Sequence, residues 1–213
     1  MSNKYQSAMH CISCELSCEV FPQESVRFQY CDNANFILWP KENAYLQRGL
    51  QEEYLLHSRF TLLNSFAFVD FSISNLRYFI DQDWIDRLSE TGMRIIILSD
   101  RILVPLANYW LKKWGGIQGI IYADDSIRNI RYRFDRIFSG RSASDKRGKT
   151  LNDAEFSLLA FLLSGSGLQE TYKLNELNIS EIYIRKNRLE KKLGRNMNKI
   201  FAMISGQTGI HNT

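Results

Sequence analysis

The chain lacks long apolar runs. None of its hydrophobic stretches comes near the roughly 18 consecutive apolar residues that a membrane-spanning helix needs. Residues 1–5 lead into polar residues and cysteines, where a secretory signal would continue with an apolar segment. We therefore expect a cytoplasmic protein that does not use a membrane as a partner.

Sequence patterns of common enzyme sites are missing as well. The chain has neither a Gly-rich phosphate-binding loop nor the nucleophile turn of a hydrolase. Its three histidines, His10, His57 and His211, are scattered along the sequence and suggest no catalytic pair. We expect no enzymatic activity and no cofactor.

Apolar material is nevertheless ample, since 45% of the 213 residues are hydrophobic and 13% are aromatic. Within residues 36–140, short apolar runs alternate with helical patterns, which is typical of parallel strands buried between helical layers. One strand of such a domain is missing, and only residues 59–63 offer a candidate for it. The expected strands are residues 35–39, 66–70, 93–99 and 117–122, and the expected helices are residues 43–56, 76–88, 104–114 and 126–138.

We expect four segments along the chain. Residues 141–150 contain no apolar residue larger than Ala, so they cannot contribute to a core and are predicted to be a linker. Before this linker lie a cysteine-containing N-terminal extension, residues 1–35, and the α/β domain, residues 36–140. After it, residues 151–213 form an all-α domain.

Positive charge is concentrated near the C-terminus. Residues 141–213 carry 12 Lys and Arg against 7 Asp and Glu, whereas residues 1–140 carry 15 against 16. A cluster of cations on one segment is expected of a surface that neutralises phosphates, although it is also found on solvated helix faces. Six cations fall within eleven residues: Arg185, Lys186, Arg188, Lys191, Lys192 and Arg195.

The C-terminal segment has the pattern of three helices. Asn152 and Glu155 have the spacing of a capping box, and a helix predicted from there ends at the Ser-Gly repeat of residues 164–167. A short second helix at residues 168–174 and a turn at residues 175–178 lead to a third helix that begins near Ser180. A short helix, a tight turn and a basic helix are the arrangement with which a recognition helix enters the major groove.

This segment resembles the LuxR-type, NarL/FixJ-like helix-turn-helix. The resemblance rests on residues 151–165, Glu170, Leu177, Ile182 and 192–194. It departs from the family at residues 181–185, where a Thr-Val-x-x-His stretch is usual, and an acidic Glu181 at a position that faces DNA leaves the target sequence open. The residues expected to contact double-stranded DNA are Ser180, Tyr183, Ile184, Arg185, Lys186, Asn187, Arg188, Lys191 and Lys192.

Members of that family often carry a receiver domain, and the resemblance implies that residues 36–140 are a degenerate, doubly wound receiver. Asp70 ends a strand at the position of the phosphoacceptor, and Ser99 ends the next strand where receivers have Ser or Thr. The first strand, however, ends in Trp39 and Pro40 instead of an acidic pair, and Ala123 replaces the usual Lys. Phosphoryl transfer to an aspartate needs carboxylates that hold Mg²⁺ and the positive charge of the Lys. Because both are missing from this pattern, we expect no phosphorylation of Asp70.

Asp124 and Asp125 are expected to belong to the cap of the following helix.

Several strings in this domain resemble the enterobacterial regulators of the Ecp or Mat common pilus, the most specific being Leu-Ala-Asn-Tyr-Trp at residues 106–110. The resemblance implies a transcription regulator of surface-structure or virulence genes, for pili or capsule. It also implies a homodimer, or a heterodimer with an Rcs-type response regulator. An alternative is a protein that modulates an Rcs-type regulator by heterodimerisation and has little DNA binding of its own.

All four cysteines lie near the N-terminus, at Cys11, Cys14, Cys18 and Cys31, with His10 beside the first. Two or three residues between thiols is metal-ligand spacing, and a cytoplasmic protein would not normally keep such thiols as disulfides. The second Cys-x-x-Cys of a dependable zinc signature is absent. A metal sensor therefore stays an alternative, and we expect an N-terminal extension without bound metal.

Overall fold

The computed structural model describes residues 9–13, 18–20, 36–40, 43–52, 65–141, 147–164 and 179–205. These residues include a six-stranded sheet with the strand order β2-β1-β3-β4-β5-β6. The strands are β1 Met9–Cys11, β2 Glu19–Val20, β3 Phe36–Trp39, β4 Phe66–Phe71, β5 Arg94–Ser99 and β6 Ile117–Tyr122.

Strands β3 to β6 are parallel and run in sequence order across the sheet. All six residues of β4 are buried. Alternate side chains of this strand enter two different cores: Phe66 and Phe68 belong to one cluster, and Val69 and Phe71 to the other. A strand covered on both faces needs apolar residues at every position, which explains the uninterrupted apolar runs of the sequence. The α/β fold predicted for this part of the chain is thus confirmed.

Helices cover both faces of the sheet, as in a doubly wound fold. On one face, helix α1 Ala44–Leu50 and helix α4 Ile127–Phe138 pack against the strands. The other face carries a 3₁₀ helix, Ile73–Phe79, then α2 Asp83–Ser89, a short 3₁₀ helix, Arg101–Leu103, and α3 Val104–Lys113. No helix in the described part of the chain has the length and hydropathy to cross a bilayer.

The single helix expected at residues 76–88 is instead a 3₁₀ helix followed by α2. The indole N–H of Trp110 donates to the carbonyl of Phe79 at 3.0 Å, which takes an acceptor that a continuous helix would use. The Asp81 carboxylate accepts the N–H of Asp83 at 3.2 Å, so α2 begins anew there. Side-chain hydrogen bonds from and to this short segment compete with the helical ladder and break it.

The N-terminal segment is partly incorporated into the sheet, contrary to the expectation of an extension over residues 1–35. Strand β1 pairs antiparallel with β3, with His10 opposite Leu38 and Cys11 opposite Ile37. Met9 and Cys11 are buried in the main core. Without β1, backbone N–H and C=O groups along the edge of the buried strand β3 would have no hydrogen-bond partners. Strand β1 supplies these partners. The place of the missing strand is filled from the N-terminal side, while the candidate at residues 59–63 lies outside the described residues.

The predicted linker is also attached to the domain over its second half. The side-chain amide of Asn108 donates to the carbonyl of Arg147 at 2.8 Å and to that of Lys149 at 3.0 Å. The backbone N–H of Arg147 donates to the hydroxyl of Tyr122 at 3.0 Å. Residues 147–150 therefore run along α3 in a defined path, which their polar composition did not reveal; residues 142–146 lie outside the described ranges.

Three C-terminal helices are described: α5 Asp153–Leu163, α6 Ile179–Leu193 and α7 Met197–Ser205. The predicted capping box of Asn152 and Glu155 is confirmed, since each side chain accepts the backbone N–H of the other residue. The third predicted helix begins at Ile179, next to the expected Ser180. The predicted second helix, residues 168–174, and the turn at residues 175–178 fall outside the described residues, so the complete helix-turn-helix stays a prediction.

These helices pack directly on the α/β domain. Phe156 of α5 stacks on Tyr109 of α3 with ring centroids 4.5 Å apart and an interplanar angle of 12°. The same ring meets Trp110 edge to face at 5.2 Å. Leu159, Leu189 and other buried residues of α5 to α7 belong to the same core cluster as the sheet. One continuous core therefore joins the two parts of the chain.

Glu155 has a second role beyond the capping box. Its side chain is buried, and Oε2 lies 2.6 Å from Nζ of Lys192 on α6. Lys192 also donates to the carbonyl of Thr150 at 2.8 Å. This interaction, the Glu155–Lys192 clamp, ties α6 to the beginning of α5.

We expect Glu155→Ala to lower the free energy of unfolding by about 3 kcal/mol, because it removes a cap acceptor and leaves Lys192 without its buried counter-ion. Glu155→Gln keeps an oxygen for the N–H of Asn152, so its loss should be smaller, about 1 kcal/mol. Urea unfolding of both variants measures this difference.

Glu181→Ala is the matched control, because it removes an exposed carboxylate of α6. Its unfolding free energy should change by less than about 0.5 kcal/mol. Equal stability of Glu155→Ala and Glu181→Ala would contradict the clamp.

Candidate functional site

The outer surface of α6 carries a continuous stripe of exposed residues. Positions three and four apart share one helix face, whereas Ile182, Leu189 and Leu193 are buried on the opposite one. Tyr183 and Ile184 are each 50% exposed, unusual for large apolar side chains on a helix that is packed on its other side. The outer stripe consists of Ser180, Tyr183, Ile184, Asn187, Arg188 and Lys191.

The clustered cations divide into two groups. Lys192 lies in the clamp with Glu155 and so has a counter-ion within the chain, while its contact with DNA stays a prediction. Lys186 forms an ion pair with Glu190 at 2.8 Å, and both side chains are mostly buried. Arg188, Lys191 and Arg195 are exposed, and Arg185 is half-buried. Lys186 and its partner Glu190 lie one turn apart on α6, whereas the partner of Lys192 lies on α5, so the spacing of the cations alone did not separate these groups.

The exposed stripe combines hydrogen-bonding and cationic groups along one helix. Arg188 and Lys191 provide donors that suit phosphate oxygens, while Tyr183 and Asn187 offer groups that can hydrogen-bond to base edges. Glu181 is exposed beside them at the beginning of the helix. The arrangement can accommodate a polyanion over most of its length and carries one negative charge at its N-terminal end.

A second candidate site lies at the carboxyl ends of β3 to β6, where open parallel sheets place their ligands. Asp70 is 5% exposed, and its Oδ2 accepts the side-chain amide of Asn43 at 3.0 Å. The side-chain amide of Asn75 donates to the backbone carbonyl of Asp70 at 3.0 Å. Asp100, after β5, accepts the N–H of Ile73 at 2.9 Å. Both carboxylates are thus held in place by neighbouring loops.

Among the described residues, the end of β3 and the position after β6 carry other side chains than the carboxylates and the cation of a receiver. Trp39 is fully buried in the core at the end of β3, where receivers present an acidic pair. Ala123 follows β6, and the Ser99 hydroxyl donates to the carbonyl of Asp100 at 3.0 Å. The described residues contain no cluster of three or more side chains suited to hold a metal ion.

A pocket of about 360 Å³ opens beside Asp70, between the ends of the strands and helices α1 and α4. Its polar lining comes from Asn43, Asp70, Ser72 and Asp100. The rest of the wall is apolar or small: Leu46, Gly49, Leu50, Leu98, Ile121, Ala123, Ile127, Ile130 and Phe134.

The acidic pair that follows β6 makes ion pairs beside the helix it was expected to cap. Arg147 bonds Asp124 at 2.9 Å and Asp125 at 3.2 Å, and Arg133 bonds Asp125 at 3.2 Å. The cap of α4 is Ser126, whose hydroxyl accepts the N–H of Asn129 at 3.3 Å. Asp124 and Asp125 therefore anchor the segment that leads to the C-terminal helices.

Of the cysteines that the structure describes, Cys11 lies on β1 and Cys18 directly precedes β2. Cys11 is buried, Cys18 is half-buried, and neither forms a disulfide. The N–H of Cys11 donates to the carbonyl of Cys18 at 2.7 Å across the hairpin. Cys14 and Cys31 fall outside the described residues, so metal binding by the full set stays untested.

Comparisons with known proteins identify relatives over most of the chain. The family model described as "EcpR N-terminal domain" matches residues 10–138. "Uncharacterized protein YqeH" of Escherichia coli (strain K12) is 38% identical over 201 residues, which are 94% of this chain and 95% of that protein. A solved structure of the Salmonella typhimurium RcsB response regulator, described by its conformational dynamism for DNA interaction, is 17% identical and covers 66% of this chain and 76% of that chain with a TM-score of 0.26.

Burial raises the pKa of Asp70, and the nearby Asp100 carboxylate adds to this shift. A carboxyl with a raised pKa binds its proton more tightly in the folded than in the unfolded chain, so protonation stabilises the fold as the pH falls through that pKa. At a pH above that pKa, the ionised carboxylate lowers the stability of the fold. Asp70→Asn should therefore be more stable than the wild type at neutral pH, and its advantage should shrink on acidification.

Urea unfolding of the wild type and Asp70→Asn across a pH series tests this expectation. Asp86→Asn, which changes an exposed carboxylate of α2, is the control and should follow the wild type throughout. A lower stability of Asp70→Asn at neutral pH would show that the ionised carboxylate is needed by the fold.

Proposed function

The chain belongs to the EcpR N-terminal domain family, and we propose that it is a sequence-specific DNA-binding transcription regulator that acts without phosphorylation of its receiver-like domain. The observation that carries the proposal is the exposed stripe of α6, where Arg188 and Lys191 are accessible and Asn187 lies between them and Tyr183. A basic helix whose apolar face is used for packing can enter the major groove with its other face.

In the proposed complex, α6 lies in the major groove. Arg188 and Lys191 bind backbone phosphates, which orient the helix, and Arg195 extends this contact at its C-terminal end. Tyr183 and Asn187 lie near base edges and provide sequence preference. Glu181 discourages close approach of a phosphate at the beginning of the helix and favours a donor such as the amino group of cytosine.

We propose that the regulator binds as a dimer that presents two copies of α6 about 34 Å apart, one helical turn of DNA. The second subunit is another copy of this chain or an Rcs-type response regulator. Its targets are surface-structure or virulence genes, such as those for pili or capsule. The resemblance of about residues 30–200 to common-pilus regulators, together with the family match, supports this choice of targets.

Independence from phosphorylation is supported by the surroundings of Asp70. One of its carboxylate oxygens is hydrogen-bonded to Asn43, and Ala123 stands where a cation would contact the phosphoryl group. A phosphoryl group on Asp70 would enter a pocket whose walls are mostly apolar. Such surroundings do not stabilise the charge that develops on phosphoryl transfer.

A second candidate function is modulation of an Rcs-type regulator by heterodimerisation, with little direct DNA binding. Two observations favour it: Lys186 and Lys192 are engaged in ion pairs within the chain, and Glu181 opens the exposed stripe. Against it, Arg188 and Lys191 are left exposed on one helix face, which a module that binds only protein does not require.

We expect Arg188→Ala/Lys191→Ala to weaken binding to a preferred promoter fragment more than tenfold at physiological salt. The loss of two phosphate contacts should also reduce the slope of log K against log salt by about 1.8, from about 0.9 for each contact. Fluorescence anisotropy over a salt series measures both quantities.

The matched control is Lys112→Ala/Arg128→Ala, which removes two exposed cations of the α/β domain and should leave the affinity within about twofold. Equal effects of the two pairs would contradict recognition through α6. Promoter binding only by a mixture with an Rcs-type regulator would favour the modulator.

Acetyl phosphate with Mg²⁺ should yield no phosphoprotein, and Asp70→Ala should leave DNA affinity unchanged, because the described residues around Asp70 include neither the cation nor the full set of ligands for transfer. Mass spectrometry and the same anisotropy assay test this, with a functional receiver protein as the positive control. Phosphorylation of the wild type that is lost in Asp70→Ala would overturn the receiver part of the proposal.

A further inference from the structure

The pocket beside Asp70 is large enough to be a binding site in its own right. Its volume of about 360 Å³ falls within the range of roughly 300–1,000 Å³ that is usual for small-molecule sites. It lies at the carboxyl ends of the strands, the part of an open parallel sheet where ligands bind. Neither DNA contact through α6 nor the packing of α5 to α7 uses it.

The charged side chains among the described residues that line the pocket are all acidic. Asp70 and Asp100 both contribute to its lining, which contains neither Lys, Arg nor His among the described residues. Asp100 is half-buried and Asp70 almost wholly buried, so their charges are poorly screened by solvent. Asn43 contacts one of the Asp70 oxygens but brings no positive charge. A cation is therefore the complementary group at this end of the pocket.

Much of the remaining lining is hydrocarbon. Leu98 and Ile121 contribute from β5 and β6, and Ile130 and Phe134 from α4. Such a wall offers nothing to a hydrated ion but releases water when it is covered by an apolar group. Charge at one end and hydrocarbon along the side define an amphipathic ligand.

We propose that this pocket binds a small organic amine, whose ammonium group contacts Asp70 and Asp100 and whose aliphatic or aromatic part lies against Ile121, Ile130 and Phe134. The ammonium takes the position that a metal ion occupies in acidic sites at this edge of a sheet. It needs only a few oxygen acceptors, whereas Mg²⁺ requires near-octahedral oxygen coordination. Two carboxylates beside an apolar wall fit the first requirement and not the second.

The proposal does not depend on DNA binding, and its test uses the full-length protein without DNA. Isothermal titration calorimetry is carried out with 2-phenylethylamine, with the matched neutral 2-phenylethanol and with the anion 3-phenylpropanoate. We expect saturable one-to-one binding of the amine, at least tenfold tighter than that of the alcohol, and none of the anion.

Two kinds of variant separate charge from shape. Asp70→Asn should weaken binding of the amine at least tenfold and leave binding of the alcohol nearly unchanged. Ala123→Leu, which places a larger side chain in the pocket, should weaken binding of both. Asp86→Asn, an exposed carboxylate outside the pocket, is the control and should bind like the wild type. Circular dichroism melting verifies that each variant is folded.

The proposal is overturned if none of the three probes binds saturably, or if the amine binds Asp70→Asn as it binds the wild type. It is also overturned if MgCl₂ alone gives an Asp70-dependent signal while 2-phenylethylamine gives none, because the site would then bind an inorganic cation. Loss of amine binding in Asp70→Asn with DNA affinity unchanged would support the pocket independently of the regulator assignment.

Discussion

The packing of α5 against α3 determines where the basic helix lies. Phe156 of α5 stacks on Tyr109 and meets Trp110 edge to face. The indole N–H of Trp110 in turn donates to the carbonyl of Phe79, the last residue of the first 3₁₀ helix. The Glu155–Lys192 clamp then ties α6 to the same end of α5. Because the buried face of α6 belongs to the core that includes the sheet, its exposed stripe has a set direction relative to the α/β domain. A dimer formed through the α/β domains would therefore also set the separation of the two basic helices.

Features that depend on neighbouring residues were predictable. The apolar runs at residues 66–70 and 93–99 correspond to β4 and β5, since strands buried on both faces have no polar alternation. The capping box at Asn152 was also visible, because both of its members lie within one helical turn. The outward face of α6 followed from the 3.6-residue period.

Features that depend on distant partners were not predictable from one sequence. Strand β1 joins β3 across more than twenty residues, and a three-residue strand has too little pattern to be recognised. The polar segment at residues 147–150 is attached by Asn108, which sits in the middle of α3 and whose side chain gives no sign of its acceptors. Lys192 looked like its neighbours until folding brought Glu155 against it. In each case the decisive partner is separated along the chain by more than any local period covers.

The same distinction explains how the end of the sheet changes its chemistry while keeping its shape. The parallel strands bring Asp70 and Asp100 to one edge whatever their neighbours are, because strand order fixes the positions of strand ends. What a ligand meets there depends on single side chains such as Ala123, which lines the pocket without charge. Among the described residues, this edge of the sheet places two carboxylates, Asp70 and Asp100, beside apolar side chains. The fold thus forms a concave site that contains two carboxylates, and the ligand proposed for it is an amphipathic cation.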